Sequence, residues 1–336
     1  MTEICVFGAG SIGCYVGGRL LAAGAEVSFV GRPRVAEELR QHGLHLTDLH
    51  GADLRIEPPR LRYTATPDDA TAAADLVLVT VKSAATEEVG LELAPVLKPG
   101  AVVVSLQNGI GNATVLRHVL RDRTVLDGMV PFNVLHRGNG AFHQGSEGEL
   151  AATDHPLLGT AQPLFARAGL PLQLYADLLP VQWAKLLLNL NNPVNALSDL
   201  PLKQELSQRP YRRCLALMQR EALSLLDAAG LPPAKLTPLP PHWLPAMLEL
   251  PDWVFRRAAN KMLEIDPLAR SSMWEDLQAG RRTEIDWLNG EIMRLAQRLG
   301  RKAPASAKMI ELVRSAEQGG RRQWSGKELL AALRAA

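Results

Sequence analysis

Cysteine is scarce. The chain of 336 residues has three, Cys5, Cys14 and Cys214. None lies in a CxxC pair, so no disulfide framework holds this protein together. Cys5 falls in an apolar run and Cys14 just after a glycine-rich turn. Small buried hydrophobes in a reducing compartment are a plainer reading of them than a catalytic thiol. Aromatic residues are 5% of the chain, too few for base stacking as a main activity. Charge of one sign is lacking too: Lys plus Arg number 37, Asp plus Glu 35, and the formal net charge is +2. No Lys/Arg block is backed by aromatic platforms, so the expectation is no nucleic-acid partner. No stretch approaches the roughly 18 apolar residues of a membrane helix. The first residues lack the basic region, apolar stretch and cleavage site of a secretory signal. The expectation is a cytoplasmic protein with no membrane partner, and no motif in it asks for a metal.

What is present is enough apolar sequence for a sizeable core. Hydrophobic residues make up 47% and charged residues 21%, and the length suggests two domains of about 150 residues. Residues 3–7 (EICVF), 26–31 (EVSFVG), 76–81 (LVLVTV), 101–106 (AVVVSL) and 124–130 (TVLDGMV) read as strands. They are short, valine-rich and continuous rather than alternating, the look of strands covered on both faces. The stretches 11–23 and 86–97 are long enough for crossover helices, giving the βαβ pattern of a parallel sheet. Residues 132–135, 141–144 and 149–152, separated by RGNG and GSEG, read as hairpins added to the sheet edge, with 172–175 as a last strand. Beyond about 178 the pattern is helical, over 181–197, 208–229, 252–264, 284–299 and 305–315. The proline-rich stretch 231–251 cannot be one regular helix; it lies either near a site's mouth or in a surface insertion. The fold class is α/β followed by all-α. The domains expected are 1–177, binding a dinucleotide, and 178–336, helical and carrying substrate and catalytic groups.

Gly8, Ala9, Gly10, Ser11, Ile12 and Gly13 match GxGxxG between a predicted strand and a predicted helix. Gly8 permits the tight turn, Gly10 a close backbone approach to pyrophosphate, and Gly13 the packing of helix on strand. The helix N-terminus, reached through Ser11 and Ile12, suits the phosphates. No acidic residue lies between Val27 and Ala36, so the usual carboxylate for an NAD ribose is missing. Arg32, assisted by Arg34, can instead pair with a 2′-phosphate, which points to NADPH/NADP as cofactor.

Lys82 and Asn108 follow two further predicted strands, at the sheet edge where open α/β sheets bind ligands. Read alone, Lys82 is a polar head leaving the sheet, and Asn108 with Gly109 is a turn signal. Lys185, Asn189 and Asn192 are spaced by four and three among leucines. They share one helical face, which either lines a cavity or faces solvent. Pro193 interrupts or kinks that helix. Further on come Ser271, Ser272, Met273, Trp274, Glu275 and Asp276, then Thr283, Glu284, Ile285 and Asp286. Thr283 is a natural N-cap for a helix beginning at Glu284, with Asp286 in the reciprocal position and Glu284 complementing the helix dipole.

Together GAGSIG, VGR at 30–32, VTVK at 79–82, LQNG at 106–109, WAKLLLN at 183–189, SSMWED at 271–276 and TEIDWLNG at 283–290 resemble the ketopantoate reductase (2-dehydropantoate 2-reductase) family over almost the whole chain. The resemblance implies an N-terminal Rossmann domain, an all-helical C-terminal domain and an active site in the cleft between them. The implied reaction is NADPH-dependent reduction of ketopantoate to (R)-pantoate, on the route to pantothenate and coenzyme A. By motif, Lys185 and Glu284 match catalytic residues. Ser272, Asn108 and Asn189 match substrate-site residues, while Arg32, Lys82 and Asn108 match cofactor contacts. The family often has an asparagine eight positions after the lysine; here that position is Pro193, with Asn192 or Asn195 as its replacement. This departure favours, as the alternative, a related NADP-dependent reductase of another 2-keto acid. The partner implied is a small 2-keto acid, and since members occur as monomers and dimers, a homodimer is within what the resemblance implies.

Overall fold

The structure, a computed structural model, describes residues 2–258 and 269–336. The chain divides into two compact units, Met1–Leu178 and Leu179–Ala336. The first is built on β1 (Glu3–Phe7), β2 (Glu26–Val30), β3 (Leu44–Thr47), β4 (Asp53–Ile56), β5 (Arg62–Thr64), β6 (Leu76–Val79), β7 (Val102–Ser105), β8 (Thr124–Met129), β9 (Val134–Gly138), β10 (Ala141–Gln144), β11 (Leu150–Thr153) and β12 (Leu172–Tyr175). Eight strands form one sheet in the order β12-β11-β8-β7-β6-β1-β2-β5. From β8 to β5 all neighbours are parallel. Only the β11–β8 pairing in this sheet is antiparallel. Alternation along β1 explains why its sequence is apolar throughout. Ile4 and Val6 enter the core on one face, and Cys5 and Phe7 the core on the other, so neither parity of the strand can be polar.

The helices of this unit are α1 (Ser11–Ala22), α2 (Pro33–His42), α3 (Asp69–Ala73), α4 (Thr86–Leu93), α5 (Asn112–Val119) and α6 (Pro156–Arg167). Helix α1 carries Gly17 and Gly18 because it is squeezed from two sides. A Cβ on Gly17 would stand 2.5 Å from the Phe29 ring, and one on Gly18 2.8 Å from Leu46 Cδ1. Leu46 belongs to a second, four-stranded sheet, β4-β3-β10-β9. That sheet corrects the expected edge hairpins. β9 and β10 do pair antiparallel, but β10 joins β3 rather than the main sheet, and only β11 adds to the main sheet beside β8. The strands β3, β4 and β5 are too short and too mixed in polarity to be read from pattern alone.

The second unit has α-helices and no strand among its described residues: α7 (Leu179–Asn189), α8 (Asn191–Ser198), α9 (Leu202–Leu206), α10 (Arg209–Ala229), α11 (Leu244–Leu248), α12 (Asp252–Ala258), α13 (Ser272–Gln278), α14 (Ile285–Arg298), α15 (Pro304–Glu317) and α16 (Gly326–Arg334). The end of the helix expected over 252–264 lies outside the described residues. The single helix expected over 181–197 is two. Leu190 still donates to Leu186 O at 3.0 Å, but Pro193 has no N–H to return to the Asn189 carbonyl, so the ladder stops there and restarts as α8 with Pro193 in its first turn. The proline-rich stretch packs on α10 through a fully buried guanidinium. Arg212 donates to Leu206 O at 2.8 Å, Leu248 O at 3.0 Å and Leu250 O at 2.7 Å, and lies over the Phe255 ring. None of the helices described is long and apolar enough to cross a membrane.

Candidate functional site

In the first unit the groups singled out from sequence end four adjacent parallel strands, β7-β6-β1-β2, at one sheet edge. The glycine turn follows β1, Arg32 follows β2, Lys82 follows β6 and Asn108 follows β7. Gly8 and Ala9 donate to Val30 O at 2.9 and 3.0 Å, and Thr80 Oγ1 donates to Gly8 O at 2.7 Å. Gly8 has φ +108°, and a Cβ there would stand 2.5 Å from Val81 N, so both conformation and space demand glycine. A Cβ on Gly13 would stand 2.4 Å from Gly8 O and 2.6 Å from Thr80 Oγ1, the close helix–strand packing expected. On Gly10 the nearest atom would be 3.9 Å away, so that side of the turn is open. Helix α1 begins with Gly10 as N-cap, with no side-chain cap and no acid in its first turn. Its positive end is left for an anion.

Arg32 is exposed and is the N-cap of α2, followed by Pro33. Its carbonyl accepts the Tyr63 hydroxyl at 3.2 Å, and Tyr63 is the reason Gly31 has no side chain: a Cβ would stand 2.4 Å from Tyr63 Oη. Between the Lys82 and Asn108 loops runs a polar ladder. Ser105 Oγ bonds Gln107 Oε1 at 2.9 Å, Gln107 Nε2 bonds Thr86 Oγ1 at 2.8 Å, and Thr86 Oγ1 bonds Asn112 Oδ1 at 2.9 Å. Asn112 Nδ2 and Ser83 Oγ both donate to Asn108 O, at 2.8 and 3.0 Å. The ladder fixes the Asn108 backbone, and its side chain is half-buried. Sequence reading missed Tyr63, Ser83 and Asn112. The serine and asparagine stood beside residues already picked out, but only the fold joins them.

In the second unit Lys185 and Asn189 lie one turn apart on α7, among buried Trp183, Leu186 and Leu187. Burial pulls the Lys185 ammonium down to about 8. Asn192 is not on the same helix, because of the break at Leu190, which corrects the expected single stripe. The alternatives at this point separate. Asn195 is fully buried and its side chain is used, accepting from Ser271 N at 2.9 Å and donating to Leu200 O at 3.0 Å. Asn192 stays half-buried. Ser271 caps α13 by accepting from Trp274 N, and its Oγ donates to Asn192 O at 3.1 Å, so Ser272, half-buried at the start of α13, is tied to Asn192 through its neighbour. Asp199, in the left-handed region at φ 57°, accepts from Trp274 Nε1 at 2.7 Å, and Arg270 donates to its carbonyl while stacking on the Trp274 ring.

Glu284 is buried, at 7% exposure. The expected cap needs correction. Helix α14 starts at Ile285 with Glu284 as N-cap and no side-chain capping bond from it. Thr283 Oγ1 accepts from Ile285 N at 3.3 Å, but the Thr283 N–H goes to Glu317 Oε1 at 2.7 Å. Asp286, given the reciprocal capping role from sequence, pairs instead with Arg314 at 2.7 Å; its carboxylate is shorter than the usual Glu and a neighbouring helix supplies the longer acid. The three cysteines are free and buried. Burial pushes the Cys5 thiol up to about 11 and Cys214 to about 12, so neither offers a thiolate near neutral pH. Among the described residues no group of three or more His, Cys, Asp and Glu is placed to hold a metal.

A largely parallel sheet with an uncapped glycine turn, followed in the chain by a helical unit, points to the class of two-unit NAD(P)-dependent oxidoreductases. Residues 4–156 match the family model described as ketopantoate reductase PanE/ApbA, and residues 177–317 match its C-terminal counterpart. The 2-dehydropantoate 2-reductase of Archaeoglobus fulgidus is 29% identical over 331 residues, covering 94% of this chain and 98% of that protein. The crystal structure of a PanE/ApbA family ketopantoate reductase from Ralstonia eutropha matches with a TM-score of 0.79 at 30% identity, covering 94% of this chain and 98% of that one. A ternary structure of D-mandelate dehydrogenase with NADH and anilino(oxo)acetate has a TM-score of 0.78 at 20% identity, covering 94% and 98%, a likeness of fold. The chain belongs to the ketopantoate reductase family.

Proposed function

We propose that the protein reduces ketopantoate to (R)-pantoate with NADPH, supplying pantoate for pantothenate. The glycine turn fits a dinucleotide: its open Gly10 side and the uncapped start of α1 suit a pyrophosphate. NADPH supplies the hydride when bound. Arg32, exposed and with no carboxylate beside it in sequence, holds the 2′-phosphate with its planar fork and sets the preference for NADPH over NADH. Lys82 and Asn108 hold the nicotinamide half from the neighbouring strand ends.

The observation that carries the proton step is Lys185, whose ammonium burial brings down to about 8. A general acid works best with a pKa near the operating pH. In this range Lys185 is still mostly protonated, yet gives up its proton more readily than a lysine in water. It polarises the keto oxygen and delivers the proton as negative charge develops there. Glu284, buried on the same unit, balances that charge or holds a substrate hydroxyl. Asn108, Asn189, Asn192 and Ser272 are neutral donors suited to the carboxylate and hydroxyl of the keto acid. The test is NADPH oxidation with ketopantoate measured beside ketoisovalerate and pyruvate; ketopantoate should be turned over best. Pro193 in place of the family's asparagine favours the second reading, a reductase of a related 2-keto acid, and a preference for either of the other two substrates would establish it.

A further inference from the structure

Among the buried titratable groups that the mechanism above does not use, one is a lone acid at the centre of the helical unit's bonding. Glu205 on α9 is fully enclosed, at 0% exposure. Burial pushes its carboxyl up to about 8, against the opposing hydrogen bond from Asn191 and the charge of Arg212, so it is the neutral acid near pH 7. An enclosed acid is a poor way to fill a core, since an apolar side chain of similar volume is usually as stable or more so. What the acid adds is direction.

Its bonds form a bracket within the second unit. Asn191 Nδ2 donates to Glu205 Oε2 at 2.9 Å. Asn191 is the first residue of α8, directly after the break at Leu190. The helix that carries Glu205 is itself fixed near Ser271: Leu202 N donates to Ala269 O at 2.9 Å. Two residues on, Ser271 N donates to Asn195 Oδ1 and Ser271 Oγ to Asn192 O. The carboxyl thus holds the first residue of α8, and the start of α13 is tied to that same helix at Asn192 and Asn195.

We propose that Glu205 is a positioning residue: through Asn191 it sets the step from α7 to α8, and with it the placing of Asn192 and Ser272 toward the polar end of the keto acid. This rests on the proposed reduction. Three full-length variants test it. Glu205→Leu removes the acceptor, Asn191→Ala removes the donor, and Glu205→Gln keeps a neutral side chain with an acceptor oxygen. Loss of one buried hydrogen bond of about 1.4 kcal/mol corresponds to a factor of about ten. Glu205→Leu and Asn191→Ala should therefore raise KM for ketopantoate about tenfold while kcat and the NADPH dissociation constant stay within about twofold. Glu205→Gln should restore KM to near wild type. Should Glu205→Leu fail to fold, Asn191→Ala and Glu205→Gln decide alone. An unchanged KM in Asn191→Ala, or an equal rise in Glu205→Gln, overturns the proposal. Amide hydrogen exchange gives a readout independent of turnover. In Asn191→Ala, exchange should quicken in 191–198 and 269–274 together, and quickening confined to α9 would refute the bracket. A wild-type protein that does not oxidise NADPH with ketopantoate overturns the reduction reading, and the exchange result then decides the bracket by itself.

Discussion

In the proposed reduction Lys185 has to be charged to polarise a carbonyl and acidic enough to release its proton, and burial serves both demands by bringing its pKa down to about 8. Since the protonated form is the donor, kcat/KM should be flat below this value and fall about tenfold per pH unit above it; a profile that rises through pH 8 would assign the base form. Lys185→Ala should lower kcat by about 10²–10⁴-fold, with NADPH affinity retained in a fluorescence titration. Arg32→Asp should weaken NADPH by about 10–100-fold, as loss of a charge-assisted bond predicts, and leave NADH much less affected; equal loss of both would remove Arg32 from the 2′-phosphate. Thr283 and Glu284 separate by measurement. Thr283→Ala should cost about 1 kcal/mol in denaturant unfolding, since Thr283 Oγ1 accepts from Ile285 N, whereas Glu284→Gln should retain the fold and lower kcat, because its proposed role is at the substrate. These residues were legible in sequence because each stands at a strand end, on a helical spacing or in a family motif. Glu205 was not, because a lone glutamate in LKQEL looks like part of a solvated helix face until it is seen on the buried side of α9.

Elements were legible where their burial was uniform and obscure where it was mixed. β6 and β7 are buried at every position, and continuous valine announces them. β5, with Arg62 exposed and Tyr63 half-buried, has no such signature, yet it supplies the hydroxyl under the Arg32 carbonyl. The break between α7 and α8 was half legible: Pro193 signals an interruption, but the position of the break follows from which carbonyl loses its donor, that of Asn189. The ladder from Ser105 to Asn112 could not be read at all, since it joins side chains from a strand, a loop and two helices. Asn112→Leu should cost about 1–3 kcal/mol by leaving Thr86 and the Asn108 carbonyl short of partners, and should raise KM for the keto acid as the Asn108 backbone loosens. Urea unfolding beside steady-state kinetics checks both.

At the scale of the molecule, each unit has its own fold, and the division at Leu178 falls where strands give way to helices. The parallel order was legible, since crossovers of suitable length join valine-rich runs; the second sheet was not, because its partners are far apart in sequence. A ligand that binds only the folded state stabilises it by mass action. NADPH at a hundredfold excess over its Kd should add about 2.7 kcal/mol to unfolding of the full chain, and Lys185→Ala should keep that increment, as read by thermal shift. The small sheet also bears on how the chain is made. β3 must wait for β10, and Thr47 meets His143, its hydrogen-bond partner at 2.7 Å, across 96 residues. During synthesis Leu44 and Leu46 therefore leave the ribosome long before the strand that completes their sheet, and the flank of the nucleotide helix beside Gly18 is covered late. Nascent chains stalled before Ala141 should expose that flank to a chaperone or a protease, and those released after Gln144 should not.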